Sequence, residues 1–259
     1  MVKTPKPSNI STDRRTRTLS EALGCDRPFM IGIGGCGMSA LARLMHDAGL
    51  TIRGCDSTPS PVTQLLQDSG ISVGFEEQPS ELPDDTRVVI ASAAVKHDHP
   101  IMVEGAARGL EIMTYPEALG VCMRGHTGIA VAGTHGKSTT TAMLGCALTD
   151  AGLDPSVIVG ATCSQLSNGA LKPGEAPVGY RVGSDEIPSG PRTHQPGLLL
   201  AEACEFNRSF HHLRPTIASI ASIEADHLDI YGSLDAVVES FTQFAQLIPS
   251  AEQGGKLII

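Results

Sequence analysis

The sequence predicts an α/β protein made of two successive units, each a mostly parallel sheet covered by helices. Short apolar runs alternate with helical periodicity from Phe29 onward, the pattern of strand–helix–strand crossovers. Two of the apolar runs enter glycine-rich turns that open helices, at Gly32–Gly37 and at Gly133–Lys137. Hydrophobic residues make up 41% of the 259, enough to bury a sizeable core and to exclude wholesale disorder.

Residues 1–26 are polar, with Pro5, Pro7 and mixed charges, and read as a disordered tail. The first unit is placed at 27–125. Phe29–Ile33 reads as a strand, and Met38–Ala48 as a helix with Leu41, Leu44, Met45 and Ala48 on one face, closed by Gly49. Thr51–Cys55, Arg87–Ser92 and Leu110–Met113 follow as strands. Val62–Gln67, Pro100–Arg108 and Pro116–Met123 follow as helices. The second unit is placed at 126–259. Thr127–Ala132 is a strand, and the helix after Lys137 runs to Gly152. Val157–Val159, Leu198–Ala203 and Thr216–Ile220 are further strands, and Leu234–Ile248 is an amphipathic helix. Residues 163–197, rich in Gly, Pro and Ser, read as one long loop. The last residues, Gly254–Ile259, look like a strand just beginning, so the second unit is expected to be incomplete.

Charge and composition narrow the function. Nineteen Lys and Arg against 28 Asp and Glu leave a net charge of −9, which argues against general binding to a nucleic-acid backbone. Aromatics are 3% and Trp is absent, leaving little for base stacking. No apolar run reaches the roughly 18–20 residues of a membrane span. The basic residues near the start have no apolar stretch behind them, so they do not form a secretory signal. The seven cysteines are scattered with no CxxC pair, which disfavours a disulfide framework or zinc site and fits a reducing cytoplasm. His211 and His212 read as surface residues.

Three constellations carry chemistry. Gly133-Thr134-His135-Gly136-Lys137-Ser138 joins a strand to a helix, where backbone N–H groups and the helix dipole favour phosphate oxygens. Lys137 would neutralise the terminal phosphates and Ser138 would offer a hydroxyl to Mg²⁺. Val131 stands where the longer Walker pattern wants its first glycine, so this is a shortened variant. Gly32-Ile33-Gly34-Gly35-Cys36-Gly37 satisfies G-x-G-x-x-G, with Asp56 at the end of the next strand, where a Rossmann acid would reach a ribose. A nicotinamide-dependent dehydrogenase competes for this second motif. Glu202, with Glu205, stands near the end of an apolar strand, the sheet edge where α/β proteins bind ligands. Together with Glu224-Ala225-Asp226-His227, it supplies hard-oxygen and imidazole groups suited to Mg²⁺ held against phosphates.

The stretch Gly133–Thr141 resembles the ATP loop of the Mur ligases, the ATP-dependent amino-acid ligases of peptidoglycan synthesis. Met30–Ser39, Gly54-Cys55-Asp56 followed by Pro61–Leu65, and Ile223–Asp229 are similar to the motifs of the branch that joins L-alanine to UDP-N-acetylmuramate. The resemblance implies a UDP-sugar site made by Gly34, Gly35, Cys36, Gly37 and Met38, with Asp56 toward the uridine and Ser92 facing the sugar nucleotide. It implies an ATP site made by Gly133, Thr134, His135, Gly136, Lys137, Ser138 and Thr139. Lys137, Glu202 and His227 would be catalytic, and Ser138, Glu202 and His227 would serve Mg²⁺. The implied reaction is cytoplasmic: the muramate carboxylate attacks the γ-phosphorus of ATP, and the amine of L-alanine then displaces phosphate from the acyl phosphate. Three features depart from the family pattern. Ser222 stands where the family usually has Asn, the loop 170–197 is longer, and the resemblance implies a further C-terminal domain, bringing the amino acid, that these 259 residues are expected to lack. Two alternatives stay open, a muramyl-tripeptide ligase of wall recycling and a non-catalytic binder of UDP-sugar or nucleotide.

Overall fold

The computed structural model describes residues 19–166 and 178–259. Residues 1–18 of the expected tail and 167–177 of the expected loop lie outside the described residues. The remainder of the tail is not a tail. Leu19, Leu23 and Cys25 are buried in the main core, and residues 19–23 are helical. Leu19 and Leu23 are a helical turn apart, so one face of a short helix can cover the core.

The first sheet is built from β1 (Phe29–Ile31), β2 (Arg53–Cys55), β3 (Ser72–Gly74), β4 (Val88–Ala91) and β5 (Glu111–Thr114). Its order is β3-β2-β1-β4-β5 and every pairing is parallel. The crossovers are α1 (Cys36–Asp47), α2 (Pro61–Asp68), α3 (Pro100–Ala107) and, after β5, α4 (Tyr115–Arg124). Local signals set several helix starts. Ser60 and Thr63 form a capping box around Pro61, and Thr114 and Glu117 form another around Pro116. The expected strand Phe29–Ile33 stops at Ile31, because the N–H groups of Gly32 and Ile33 both turn to the carbonyl of Cys55. Strand β3 was not expected. At three residues, with only Val73 buried, it is too short to show a period.

The second sheet holds β6 (Thr127–Ala132), β7 (Ser156–Ile158), β8 (Tyr180–Arg181), β9 (Leu198–Ala203), β10 (Ile217–Ile220) and β11 (Lys256–Ile258). The order is β11-β10-β6-β9-β7-β8, parallel throughout except for β8. Central β6 is buried at all six residues, as expected of a strand covered on both faces. Around it lie α5 (Lys137–Asp150), the short α6 (Leu228–Tyr231) and α7 (Leu234–Ala245). Part of the expected long loop is ordered. Ser164–Leu166 is a 3-10 turn, β8 pairs with β7, and Glu186 bridges Pro196.

One core cluster runs through both units, from Met30 and Leu41 to Ala130, Phe210 and Phe241. Helix α4 lies directly against the segment before β10. A Cβ on Gly120 would fall 2.0 Å from the carbonyl oxygen of His212, so only glycine permits that approach. His211, expected at the surface, is half-buried. Its Nε2 lies 2.9 Å from the Ser240 carbonyl and its ring stacks on Phe210. His212 is exposed, 3.8 Å from Glu117.

Candidate active site

Both glycine-rich turns lie at the C-terminal edges of their sheets. In the first unit a cleft of about 610 Å³ opens there, lined by Gly32, Gly34, Gly35, Asp56, Ser92 and Lys96 among others. Asp56 forms part of its wall, but Oδ2 accepts the Gly34 N–H at 2.8 Å and Oδ1 the Thr58 N–H at 3.4 Å. The carboxylate therefore clamps the turn. Ser92 pins the opposite wall through its N–H to the Ile31 carbonyl.

Three residues expected at this site do not line the cleft. Helix α1 begins at Cys36, and successive side chains then rotate away from the turn. Cys36 points its thiol at the Val159 carbonyl of the second unit, 3.5 Å away. Gly37 lies under the Tyr115 ring, where a Cβ would fall 2.8 Å from Cζ. Met38 is buried in the core at 3% exposure. Lys96, Glu77 and His99 line the cleft unannounced. Their signal was position, since Lys96 and His99 follow the C-terminal end of β4. His99 Nε2 stands 3.4 Å from Glu77.

In the second unit the turn after β6 is held by the loop after β10. The Thr134 N–H donates to the Ser222 carbonyl at 2.9 Å, and the His135 N–H to Ser222 Oγ at 3.0 Å. Thr134 Oγ1 accepts the Glu224 N–H at 2.9 Å. Ser222 thus serves as the clamp from its departing position. Gly136 caps α5 with φ +82, a left-handed conformation that glycine adopts without strain. Thr140 is the first residue of α5 to bond back, to Gly136, so the amides of Lys137, Ser138 and Thr139 have no partner within the helix. They form an anion-binding end.

Lys137 Nζ donates to the carbonyls of Gly133 (2.7 Å) and Thr134 (3.1 Å) and to Glu205 Oε1 (3.0 Å). Glu205, expected beside Glu202 in the acid constellation but given no role of its own, is 3% exposed. His227 joins this group, with Nε2 3.9 Å from Glu205 Oε1 and its ring edge-on to Phe206. His227 itself has φ 51, a strained value for a non-glycine residue.

Glu202 lies elsewhere on the same edge. Gly160 leaves it room, since a Cβ there would fall 2.5 Å from Oε2, and Oε1 is buried with no hydrogen-bond partner. Burial, followed by the Glu202 charge, pushes up both the Cys36 thiol and the Tyr115 phenol. The Glu202 charge is thus felt at Cys36 on α1 and Tyr115 on α4 of the first unit. An orphaned buried acceptor of this kind suits a hard cation. Among the described residues no group of three His, Cys, Asp or Glu side chains is placed to hold a metal, and His227 is drawn to Glu205 instead.

Residues 29–127 match the family model described as "Mur ligase family, catalytic domain", and residues 131–259 match "Mur ligase middle domain". The chain belongs to the Mur ligase family. The Mur ligases it resembles in sequence include UDP-N-acetylmuramate–L-alanine ligases of Paenarthrobacter aurescens, 39% identical over 89% of this chain, and of Streptomyces coelicolor, 35% identical over 90%. Those matches cover 45% and 46% of the relatives, so the chain spans about half the length of the curated Mur ligases it matches. Among solved structures, the UDP-N-acetylmuramate–alanine ligase of Thermotoga maritima aligns with TM-score 0.71 and 25% identity, over 86% of this chain and 47% of that one. A UDP-N-acetylmuramate:L-alanyl-γ-D-glutamyl-meso-diaminopimelate ligase from Neisseria aligns with TM-score 0.73 and 28% identity, over 86% of this chain and 68% of that one. Within the Mur ligase frame, each sheet carries a glycine-rich turn at its C-terminal edge, and the Cys36 thiol of the first unit meets the Val159 carbonyl of the second.

Proposed function

We propose that this chain carries the sugar-nucleotide and ATP sites of a cytoplasmic ligase that joins L-alanine to the carboxylate of UDP-N-acetylmuramate. The observation that carries the reading is the Glu202 carboxylate. Its buried Oε1 has no hydrogen-bond partner, on a sheet edge that also carries the phosphate-ready start of α5. An acyl transfer between two anionic substrates needs a cation, because carboxylate and triphosphate repel unless positive charge lies between them, and an unpartnered carboxylate is a ligand for one.

In this reading the Gly32–Gly35 turn, closed by Asp56, holds the diphosphate, and Ser92 borders the sugar nucleotide. The amides of Lys137, Ser138 and Thr139 bind the ATP phosphates, and the Lys137 ammonium neutralises charge on the transferring group. Glu202 and the Ser138 hydroxyl would hold Mg²⁺, which when bound supplies positive charge between the two anions. The structures alone do not separate the L-alanine ligases from the murein-peptide ligases, whose TM-scores are 0.71 and 0.73. The 35–39% identities to L-alanine ligases favour the former.

The test is calorimetric titration of the chain with UDP-N-acetylmuramate, Mg·ATP and NAD, followed by phosphate release with and without L-alanine. Binding of the first two and not of NAD is expected. NAD binding without UDP-N-acetylmuramate binding refutes the reading. L-alanine-dependent phosphate release would place the whole reaction on these 259 residues, whereas binding without release would favour a binding module.

A further inference from the structure

Lys137 is fully engaged. An ammonium has three N–H donors, and here they meet the Gly133 carbonyl, the Thr134 carbonyl and Glu205. Glu205 brackets the ammonium, with Oε2 at 2.8 Å. Both side chains are withdrawn from water, at 17% and 4% exposure. A nucleotide phosphate can receive Lys137 only if one of these bonds opens.

The backbone that carries Glu205 is anchored on both sides. Its backbone carbonyl accepts the Tyr231 hydroxyl and the Arg208 N–H. The segment just beyond it is anchored by Phe210, which is fully buried against Phe241 and Phe244. If Lys137 left, a carboxylate would stay buried without a counter-charge, which is strongly unfavourable. Metal-free ATP brings only negative charge and makes this worse. A divalent cation arriving with the nucleotide can replace the ammonium. The approach is open beside His227, whose side chain is 34% exposed and lies 3.9 Å from Glu205.

We infer that Glu205 is a positioning residue that couples cation and nucleotide binding. It holds the Lys137 ammonium in the nucleotide-free protein and releases it to phosphate only when a divalent cation takes its place. The inference rests on the ATP-binding reading of Gly133–Ser138.

The test uses the full chain and calorimetric titration with ATP, first in EDTA and then in Mg²⁺. In the unaltered protein Mg²⁺ tightens ATP strongly. In Glu205→Gln the ammonium is no longer held by a charge. Metal-free ATP is therefore expected to bind at least about tenfold more tightly than to the unaltered chain, and the enhancement by Mg²⁺ to shrink by the same factor. An equal Mg²⁺ enhancement in both proteins overturns the inference, because a merely structural Glu205 would change both affinities together. A second measurement is independent of that variant's folding. Mn²⁺ alone, followed by electron paramagnetic resonance, is expected to bind Lys137→Met about tenfold more tightly than the unaltered chain, since the lysine no longer occupies the carboxylate. Unchanged Mn²⁺ affinity there also overturns it. Failure of the unaltered chain to bind Mg·ATP would instead refute the functional reading beneath.

Discussion

Replacing Asp56 separates two roles for that carboxylate, contacting the ligand or clamping the turn. Its Oδ2 accepts the Gly34 N–H at 2.8 Å, and a hydrogen bond to a charged acceptor contributes about 1.5–3 kcal/mol. Gly34 is half-buried, so water can reach its N–H once the carboxylate is gone, and the lower end of about 1.5 kcal/mol applies to Asp56→Ala. Asp56→Asn keeps a neutral acceptor and is expected to lose about half as much. A sugar nucleotide that binds only the clamped turn should lose about tenfold in affinity in the alanine variant, since about 1.4 kcal/mol is a factor of ten. Urea unfolding and calorimetric titration with UDP-N-acetylmuramate are run on the same samples. Stability and affinity are expected to fall together, alanine below asparagine. A tenfold loss of affinity with the unfolding midpoint unchanged would refute the clamp and assign Asp56 to the ligand itself.

Gly37→Ala places a methyl group 2.8 Å from Tyr115 Cζ and is expected to cost about 1–3 kcal/mol by overpacking. Thermal melting should show the loss, and Tyr115→Leu in the same chain should recover part of it. Phe244→Ala empties a fully buried site stacked 4.8 Å from Phe210 and should cost about 3–5 kcal/mol in urea unfolding. A loss under about 1 kcal/mol would mean that the segment carrying Glu205 is not anchored there. Asp85 is hydrogen-bonded by Arg27 and Arg53, which hold its carboxyl down at about 2. A depressed folded-state value contributes stability that is present above the usual carboxylate range and lost as the pH falls toward about 2. Asp85→Asn should therefore flatten the stability curve between pH about 4 and about 2 and leave its shape above pH about 5 unchanged; an unaltered acid slope would contradict the assignment.

The sequence alone determined the parts whose causes are contiguous. The full extents of Thr127–Ala132 and Leu198–Ala203 were legible, because a strand buried on both faces is dominated by apolar residues along its whole length. The turn Gly133–Lys137 and the start of α5 were legible from glycine and lysine placement. Elements of two or three residues such as β3 and β8 were not, since they are stabilised by the strands beside them and show no period of their own. The helix at 19–23 was hidden by its polar surroundings and exists because Leu19 and Leu23 find a core to cover. The tertiary structure alone decided which motif residues face a ligand. A G-x-G-x-x-G string does not say where the helix begins, and the start of α1 at Cys36 turned Cys36, Gly37 and Met38 out of the cleft. Only the fold could join Lys137, Glu205 and His227. They lie on three separate segments at one sheet edge, and electrostatic pairing depends on distance through space rather than along the chain.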